Sequence, residues 1–427
     1  MSETLETLLP SSVQEVLEPG GPWRLETHGL ASLNSAVDAS LQAINNGYLG
    51  MRGGVGLSLG PGEPRETMVA GLHESWDIVH AESAYGLART GQTLLTLPDA
   101  TELNIAVDGV VMERGVGDFS QVRRFLDMAA GVLETSLVWR SPLGNRIRVH
   151  QRCAASLTDR SVAMIDCTVE PLDARMRISV GSVVWEMARE QPGDRPEEGS
   201  DQSGSPMPVD PRAGDVRSGA NLTVLSREYS PVGGNLLLRS ERSRMAVALA
   251  YGHHVEVVGV DGSGAPTAVN AGAKVPAIDA GADMPVAIDR QVTHTGYAIE
   301  TSFAADVLPG EALRVTKALS YHRTGLVDAG RAEDGRYEPS AEEYEENLEA
   351  ARVALVENPP TQADRFFREQ RAELQRLWEH RDVKIQGDAG VQKALRWSIF
   401  HLLQVGAQID SSGIGAKGLS GTGYDGH

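Results

Sequence analysis

Along Arg146-Ile147-Arg148-Val149-His150-Gln151-Arg152-Cys153 the apolar positions recur at every second residue. Ile147, Val149 and Cys153 share one face and Arg146, Arg148, His150 and Arg152 the other, which predicts a strand with one buried and one wet side. Residues 133–139 form the preceding apolar run, and Ser141-Pro142-Leu143-Gly144-Asn145 between them predicts a hairpin. Val107-Asp108-Gly109-Val110 predicts another, because Asp-Gly accepts the positive φ of a type I′ turn. Further strands are expected over 162–169, 176–184, 246–251 and 313–319. From about Asn34 to Thr324 the rhythm stays that of an all-β domain, and a large antiparallel sandwich follows.

After Pro339 the period becomes helical. Ser340-Ala341-Glu342-Glu343 has the capping-box pattern, in which Ser340 accepts from a backbone N–H and Glu343 reaches back. Tyr344, Leu348, Ala351 and Leu355 then form one stripe, and Asn358-Pro359-Pro360 stops it. Phe367, Leu374, Leu377 and Trp378 mark a second helix. A third opens at Asp388, whose side chain suits an N-cap, and carries Val391, Leu395, Ile399 and Leu402 on one side with Trp397 and Phe400 beside them. The chain thus divides into a sandwich over 1–338, a helical linker over 339–384 and the opening of a helical domain over 385–427. Within the first, 186–220 is rich in Gly, Pro, Ser and charge and reads as an exposed loop. Removing 386–427 is expected to leave the sandwich folded.

Charge narrows the function classes. The 427 residues carry 39 Lys+Arg against 58 Asp+Glu, a net −19, which leaves no electrostatic footprint for nucleic acid or an anionic membrane surface. No apolar run reaches the roughly 18 residues of a membrane helix. The start, Met1-Ser2-Glu3-Thr4-Leu5-Glu6, is acidic where a signal peptide is basic, so a cytoplasmic location is expected. The two cysteines, Cys153 and Cys167, read as buried free thiols.

Candidate chemistry is sparse. His73-Glu74-Ser75-Trp76-Asp77, with His80 and Glu82, gathers acids and imidazoles, but His-x-x-x-His and Cys pairs are absent. A polar sandwich edge is expected there, with no metal. His253-His254 reads as a strand end. The tail from Gly413 to His427 is glycine-rich without the Gly-Lys-Ser/Thr order of a phosphate loop. Its Lys417, Tyr424 and His427 are the candidates to bind polar ligand groups. No Gly-x-Ser-x-Gly nucleophile elbow occurs, no carboxylate pair is placed by sequence, and no catalytic residue is assigned.

Several stretches resemble, in order, glycoside hydrolase family 65, the inverting disaccharide phosphorylases of the maltose, trehalose and kojibiose type. They are Asn45-Asn46-Gly47-Tyr48-Leu49-Gly50-Met51-Arg52-Gly53; the run from Tyr85-Gly86 through Pro98-Asp99 to Val107-Asp108-Gly109; Leu126-Asp127-Met128 with Gly131-Val132-Leu133; and Trp139-Arg140-Ser141-Pro142. Near the end, Gln386-Gly387-Asp388 with Gln392, Leu395-Arg396 and Phe400-His401-Leu402 resembles the first helix of the family's barrel. Ala416-Lys417-Gly418-Leu419-Ser420-Gly421-Thr422-Gly423-Tyr424-Asp425-Gly426-His427 resembles the loop after it.

The resemblance implies a β super-sandwich, a helical linker and an (α/α)6 catalytic barrel, of which 385–427 would be the first helix and loop. It implies phosphorolysis of an α-glucosyl disaccharide with inversion, with inorganic phosphate as co-substrate, no metal or organic cofactor, and a homodimer. A barrel Glu would protonate the glycosidic oxygen while phosphate attacks the opposite face of the sugar. In the family the loop runs on into a Phe-Trp-Asp motif that holds glucose, with the acid and phosphate groups further on. This sequence reaches His427 before that motif, and none of its glutamates matches the acid. Residues 1–427 therefore read as an N-terminal portion, inactive alone. A hydrolase of the same family, such as a trehalose-cleaving one, and a non-catalytic carbohydrate-binding or dimerisation module are the alternatives.

Overall fold

The computed structural model describes residues 21–60, 63–78, 85–87, 89–187, 222–260, 287–324, 339–407 and 418–421. Among them a nine-stranded antiparallel sheet runs in the order Arg24–His28, Asp118–Asp127, Val132–Arg140, Arg146–Ala155, Val162–Pro171, Glu311–Arg323, Ala246–Gly259, Gly233–Ser240 and Leu222–Ser230. A second layer covers it. One part is a five-stranded sheet, Asp289–His294, Ala298–Val307, Met176–Trp185, Leu103–Val107 and Val110–Val111; the other is a four-stranded sheet, Ile44–Asn45, Leu49–Gly53, Arg65–Asp77 and Thr90–Leu97. A parallel bridge between Leu57 and Leu103 joins the two parts. The fold is mainly β with helices at the C-terminal end, as the periodicity predicts.

Register explains the alternation. Ile147 pairs with Trp139, Val149 with Leu137 and Cys153 with Leu133, all buried on the inner face. The outward arginines are tied up in ion pairs, Arg146 with Asp173 and Arg148 with Glu170. At the third inward position, between Val149 and Cys153, Gln151 acts as a backbone substitute: it donates to Val55 O at 2.7 Å and accepts from Leu57 N at 2.6 Å. Asp108 and Gly109 take φ of 49° and 82°, the type I′ hairpin expected there.

The strand Val162–Pro171 is buried along its whole length because the sheet is covered on both sides. Ala163, Ile165 and Cys167 face the sandwich, whereas Val162 and Met164 meet helices. Those helices are α2 (Ala341–Glu357) and α3 (Ala363–Trp378); a short α1 (Ala36–Leu41) and a long α4 (Ala389–Ala407) complete the set among the described residues. The Ser340 hydroxyl accepts from Glu343 N at 3.1 Å and starts α2. Leu348 and Ala351 of α2 cover Leu237, Ala246, Ala248 and Ala250. Phe366 and Phe367 of α3 pack on Ala154 and Met164, and Leu374 and Trp378 enter the main core. Each such side chain contributes roughly 1.5–3 kcal/mol of burial.

An ion cluster fastens α3. Arg314 donates to both oxygens of Asp166, at 2.8 and 3.0 Å, and to Asp364 of α3 at 3.0 Å. Arg152 also bonds Asp166, at 3.0 Å, and lies 4.2 Å from the Phe367 ring centre. Burial would raise both carboxyls, but Arg314 and Arg152 outweigh it and hold Asp166 and Asp364 below the usual carboxylate range.

Several expectations change. His253-His254 lies inside the strand Ala246–Gly259, not at its end; His253 faces Ser182 Oγ at 2.8 Å, between Tyr251 and Phe303. Glu186, assigned to the exposed loop, is 3% exposed and bonded to Arg227 and His294; the rest of that loop from residue 188 lies outside the described residues. α1 was not anticipated; Ser35 caps it by accepting from Asp38 N at 3.1 Å. Phe400 of α4 is fully buried in the main core, a contact between the third helix and the sandwich that the sequence pattern does not indicate.

In α4 the apolar stripe faces inward only in part: Ile399 packs on the main core beside Trp397, Phe400 and Leu403, whereas the two ends of the stripe turn out. Gln392, Lys393, Arg396 and Gln404 are buried with Phe400, while Val391 and Leu402 are 44% and 74% exposed. The polar side chains turn in because the linker offers them partners. Gln392 accepts from Ile385 N at 2.6 Å and donates to Val383 O at 2.9 Å. Arg396 grips both oxygens of Asp382 and lies 3.8 Å from the Trp23 ring centre. The expected N-cap holds, with Val391 N donating to Asp388 at 3.0 Å.

Both thiols are buried and free, and burial pushes Cys153 up to about 12. No helix among the described residues is long and apolar enough to cross a membrane.

Candidate functional site

The segment from Asn45 to Gly53 meets α4 and residues 418–421 of the final loop. Asn46 fixes the turn: its Oδ1 accepts from Tyr48 N at 3.0 Å and Leu49 N at 2.8 Å. Its Nδ2 donates to Ser156 O at 2.7 Å and Arg160 O at 3.0 Å, anchoring the turn to the nine-stranded sheet. Gly47 has φ of 91°, and a Cβ there would strike the backbone carbonyls of Gln404 and Val405. Only glycine lets the last turn of α4 come this close.

Polar bonds complete the docking. Gln404 Oε1 accepts from Asn45 N at 2.6 Å, and Trp397 Nε1 donates to Leu41 O at 2.8 Å. His401 Nε2 lies 3.3 Å from the same carbonyl, and burial lowers its imidazole to about 4, so it stays neutral and donates through Nε2–H. On the other side of the turn, Leu419 packs over Gly50 and among Met68, Ala70 and Leu94. Gly421 sits against the Arg52–Glu66 pair, joined at 3.0 Å. Arg52 also donates to Ser40 Oγ at 2.9 Å and Ala36 O at 3.0 Å, so one guanidinium ties α1, the strand and the loop base together.

Lys417, Tyr424 and His427 lie outside the described residues. What the structure places is the stretch 418–421 between them, held on the Asn45–Gly53 segment. Sequence reasoning missed Gln404, Asn46 and the Arg52–Glu66 pair as parts of this junction. An amide such as Gln404 three residues past the aromatic-rich run 397–401 carries no local signal of its partner, which lies 359 positions away. Glu66 is held by Arg52, so it serves the footing of the loop rather than acting as a free acid.

Of the histidine–acid group at 73–77, the described side chains of His73 and Glu74 are held in hydrogen bonds. Glu74 accepts from the backbone N–H of Ser75, Arg242 and Ser243, at 3.1, 3.0 and 2.6 Å, and caps the turn at 240–245. His73 faces Gln92 at 3.0 Å. His80 and Glu82 lie outside the described residues, and among those described no three His, Cys, Asp or Glu side chains gather as metal ligands would.

Residues 25–375 match the N-terminal domain of glycosyl hydrolase family 65. The chain belongs to that family. A protein named uncharacterized glycosyl hydrolase from Mycobacterium leprae is 29% identical over 419 residues, covering 97% of this chain and 45% of its own length. An alpha,alpha-trehalose phosphorylase of Thermoanaerobacter brockii is 26% identical over 390 residues, covering 90% of this chain and 43% of the relative. The solved structure titled putative kojibiose phosphorylase from human microbiome superposes with a TM-score of 0.71 at 13% identity, over 96% of this chain and 45% of that one. The family 65 chain therefore shares the fold of that protein's matching portion and spans less than half the length of these relatives.

Proposed function

We propose that this chain supplies the sandwich, linker and first barrel helix of an inverting phosphorylase that cleaves an α-glucosyl disaccharide with inorganic phosphate and no further cofactor. In this reading 1–338, 339–384 and 385–427 are the three successive parts. Lys417, Tyr424 and His427 bind the sugar beside the seated turn 418–421, and the protein works as a homodimer. The observation that carries the reading is that seat. Gly47, Gly50 and Arg52, all within the stretch that resembles the family, position the last turn of α4 and the loop that follows. The trehalose phosphorylase among the relatives supports phosphorolysis. The acid and phosphate groups belong to parts of family members that follow the matched portion, and inversion places them on opposite faces of the sugar.

Residues 1–427 alone are expected to release no glucose 1-phosphate from trehalose, maltose, kojibiose or nigerose, because general acid assistance typically contributes about 10²–10⁴-fold. A longer form of the protein that also carries those acid and phosphate groups is expected to release β-glucose 1-phosphate from one of them, only with phosphate present. Glucose release independent of phosphate would replace this reading with hydrolysis. Inactivity on all four would favour a non-catalytic module.

A further inference from the structure

A groove of about 560 Å³ opens at the edge of the nine-stranded sheet, and its lining includes His28, Phe119, Ser120, Gln121, Val122 and Arg123. That volume lies inside the roughly 300–1,000 Å³ range of small-molecule sites. The groove exists because the strand Asp118–Asp127 bulges: Ser120 pairs with Val138 but Arg123 with Ser136, so one residue is extra. Such bulges re-aim side chains. The extra residue is Gln121, which takes φ of 51°, a conformation suited to glycine. Its exposed amide makes no hydrogen bond among the described residues. The bulge thus presents an unpaired donor–acceptor group at the rim of a cavity.

The other walls define the ligand. Phe119 packs against the core with part of its surface left open to the groove. Arg123 donates to Glu26 at 2.6 Å, and His28 lies 3.6 Å from the same carboxylate, so the guanidinium here already has an anionic partner. A ligand need not bring charge. A partly open aromatic ring beside an amide, an imidazole, a hydroxyl and a guanidinium fits a neutral pyranose, which offers an apolar C–H face to an aromatic ring and hydroxyls to polar groups.

We propose that this groove is a non-catalytic sugar-binding site for one or two neutral pyranose rings. The choice of α-glucosidic probes rests on the function proposed above. The groove shares no residue with the seat of 418–421, so the two readings fail separately: binding is read without phosphate and without turnover.

The test titrates the 427-residue chain with maltotriose and with trehalose, followed by NMR saturation transfer and thermal melts. An open groove with one aromatic wall should bind with a dissociation constant near or above about 1 mM. Phe119→Ala and Gln121→Gly should each weaken binding by about tenfold or more. Gln121→Gly relieves the backbone, so its Tm should equal or exceed that of the parent, which separates lost binding from lost folding. Absence of binding to either sugar, unchanged binding in Gln121→Gly, or a lower Tm in that variant would each overturn the proposal.

Discussion

α3 and α4 are both amphipathic and both dock on the sandwich, but α3 does so chiefly through apolar side chains, whereas α4 adds buried polar side chains to its apolar contacts around Phe400. α3 buries Phe366, Phe367, Leu374 and Trp378 with the neutral Gln370 and leaves its charged residues outside, Asp364 among them, where Arg314 clamps it. α4 buries Gln392, Arg396 and Gln404 against backbone groups and Trp23, and turns Val391 and Leu402 outward. An apolar stripe shows that a segment is helical, but it points inward only where an apolar surface awaits it. Where the neighbouring surface is a turn with open N–H and C=O groups, polar side chains go in, because an unmet buried group costs more than an exposed leucine.

The contrast can be broken at four points. Phe367→Ala should have the largest effect, about 3–5 kcal/mol in urea unfolding, since it removes a buried ring and the partner of Arg152. A loss below about 1 kcal/mol would mean that α3 is held by its ion cluster rather than by packing. Gln404→Leu, a change toward the apolar, should still destabilise by about 1–3 kcal/mol, because Asn45 N loses its acceptor. A gain in stability there would contradict the polar docking of α4.

Acid should release α4 before α3. His401 is neutral in the folded chain down to about 4 but titrates near 6.5 when unfolded, so below that value the unfolded state binds more protons. The stability contributed by α4 docking should fall by about 1 kcal/mol per pH unit from about 6.5 toward 4. Asp166 and Asp364 are depressed, so the α3 clamp persists above the unfolded carboxyl value of about 3.9 and is lost only as pH falls through the folded values. Hydrogen exchange by mass spectrometry should show α4 amides losing protection first, and His401→Gln should remove that difference. Simultaneous loss would mean that the two helices unfold as one unit. The smallest effect belongs to Leu402→Gln, within about 0.5 kcal/mol, with less light scattering.

Strand and helix periods, the Asp108-Gly109 turn, the caps at Ser340 and Asp388, and the buried thiols were all legible in the chain, because each depends on residues a few positions apart. α1 was the local exception: its Ser35 cap is equally local, but six residues give too short a period to read. The site was legible only as far as the family-like stretch Asn45–Gly53 and the glycine-rich loop, and not in how they meet. Sequence by itself determined that this is a large antiparallel sandwich followed by helices. Only the tertiary structure decided that Lys317 sits wholly inside, bonded to Val183 O and pushed down to about 7 by burial, and that Gln151 and Gln404 serve as backbone partners. Periodicity records which positions avoid water on average. Which polar group finds a buried partner depends on atoms brought together from distant parts of the chain, and that information exists only once the layers have closed.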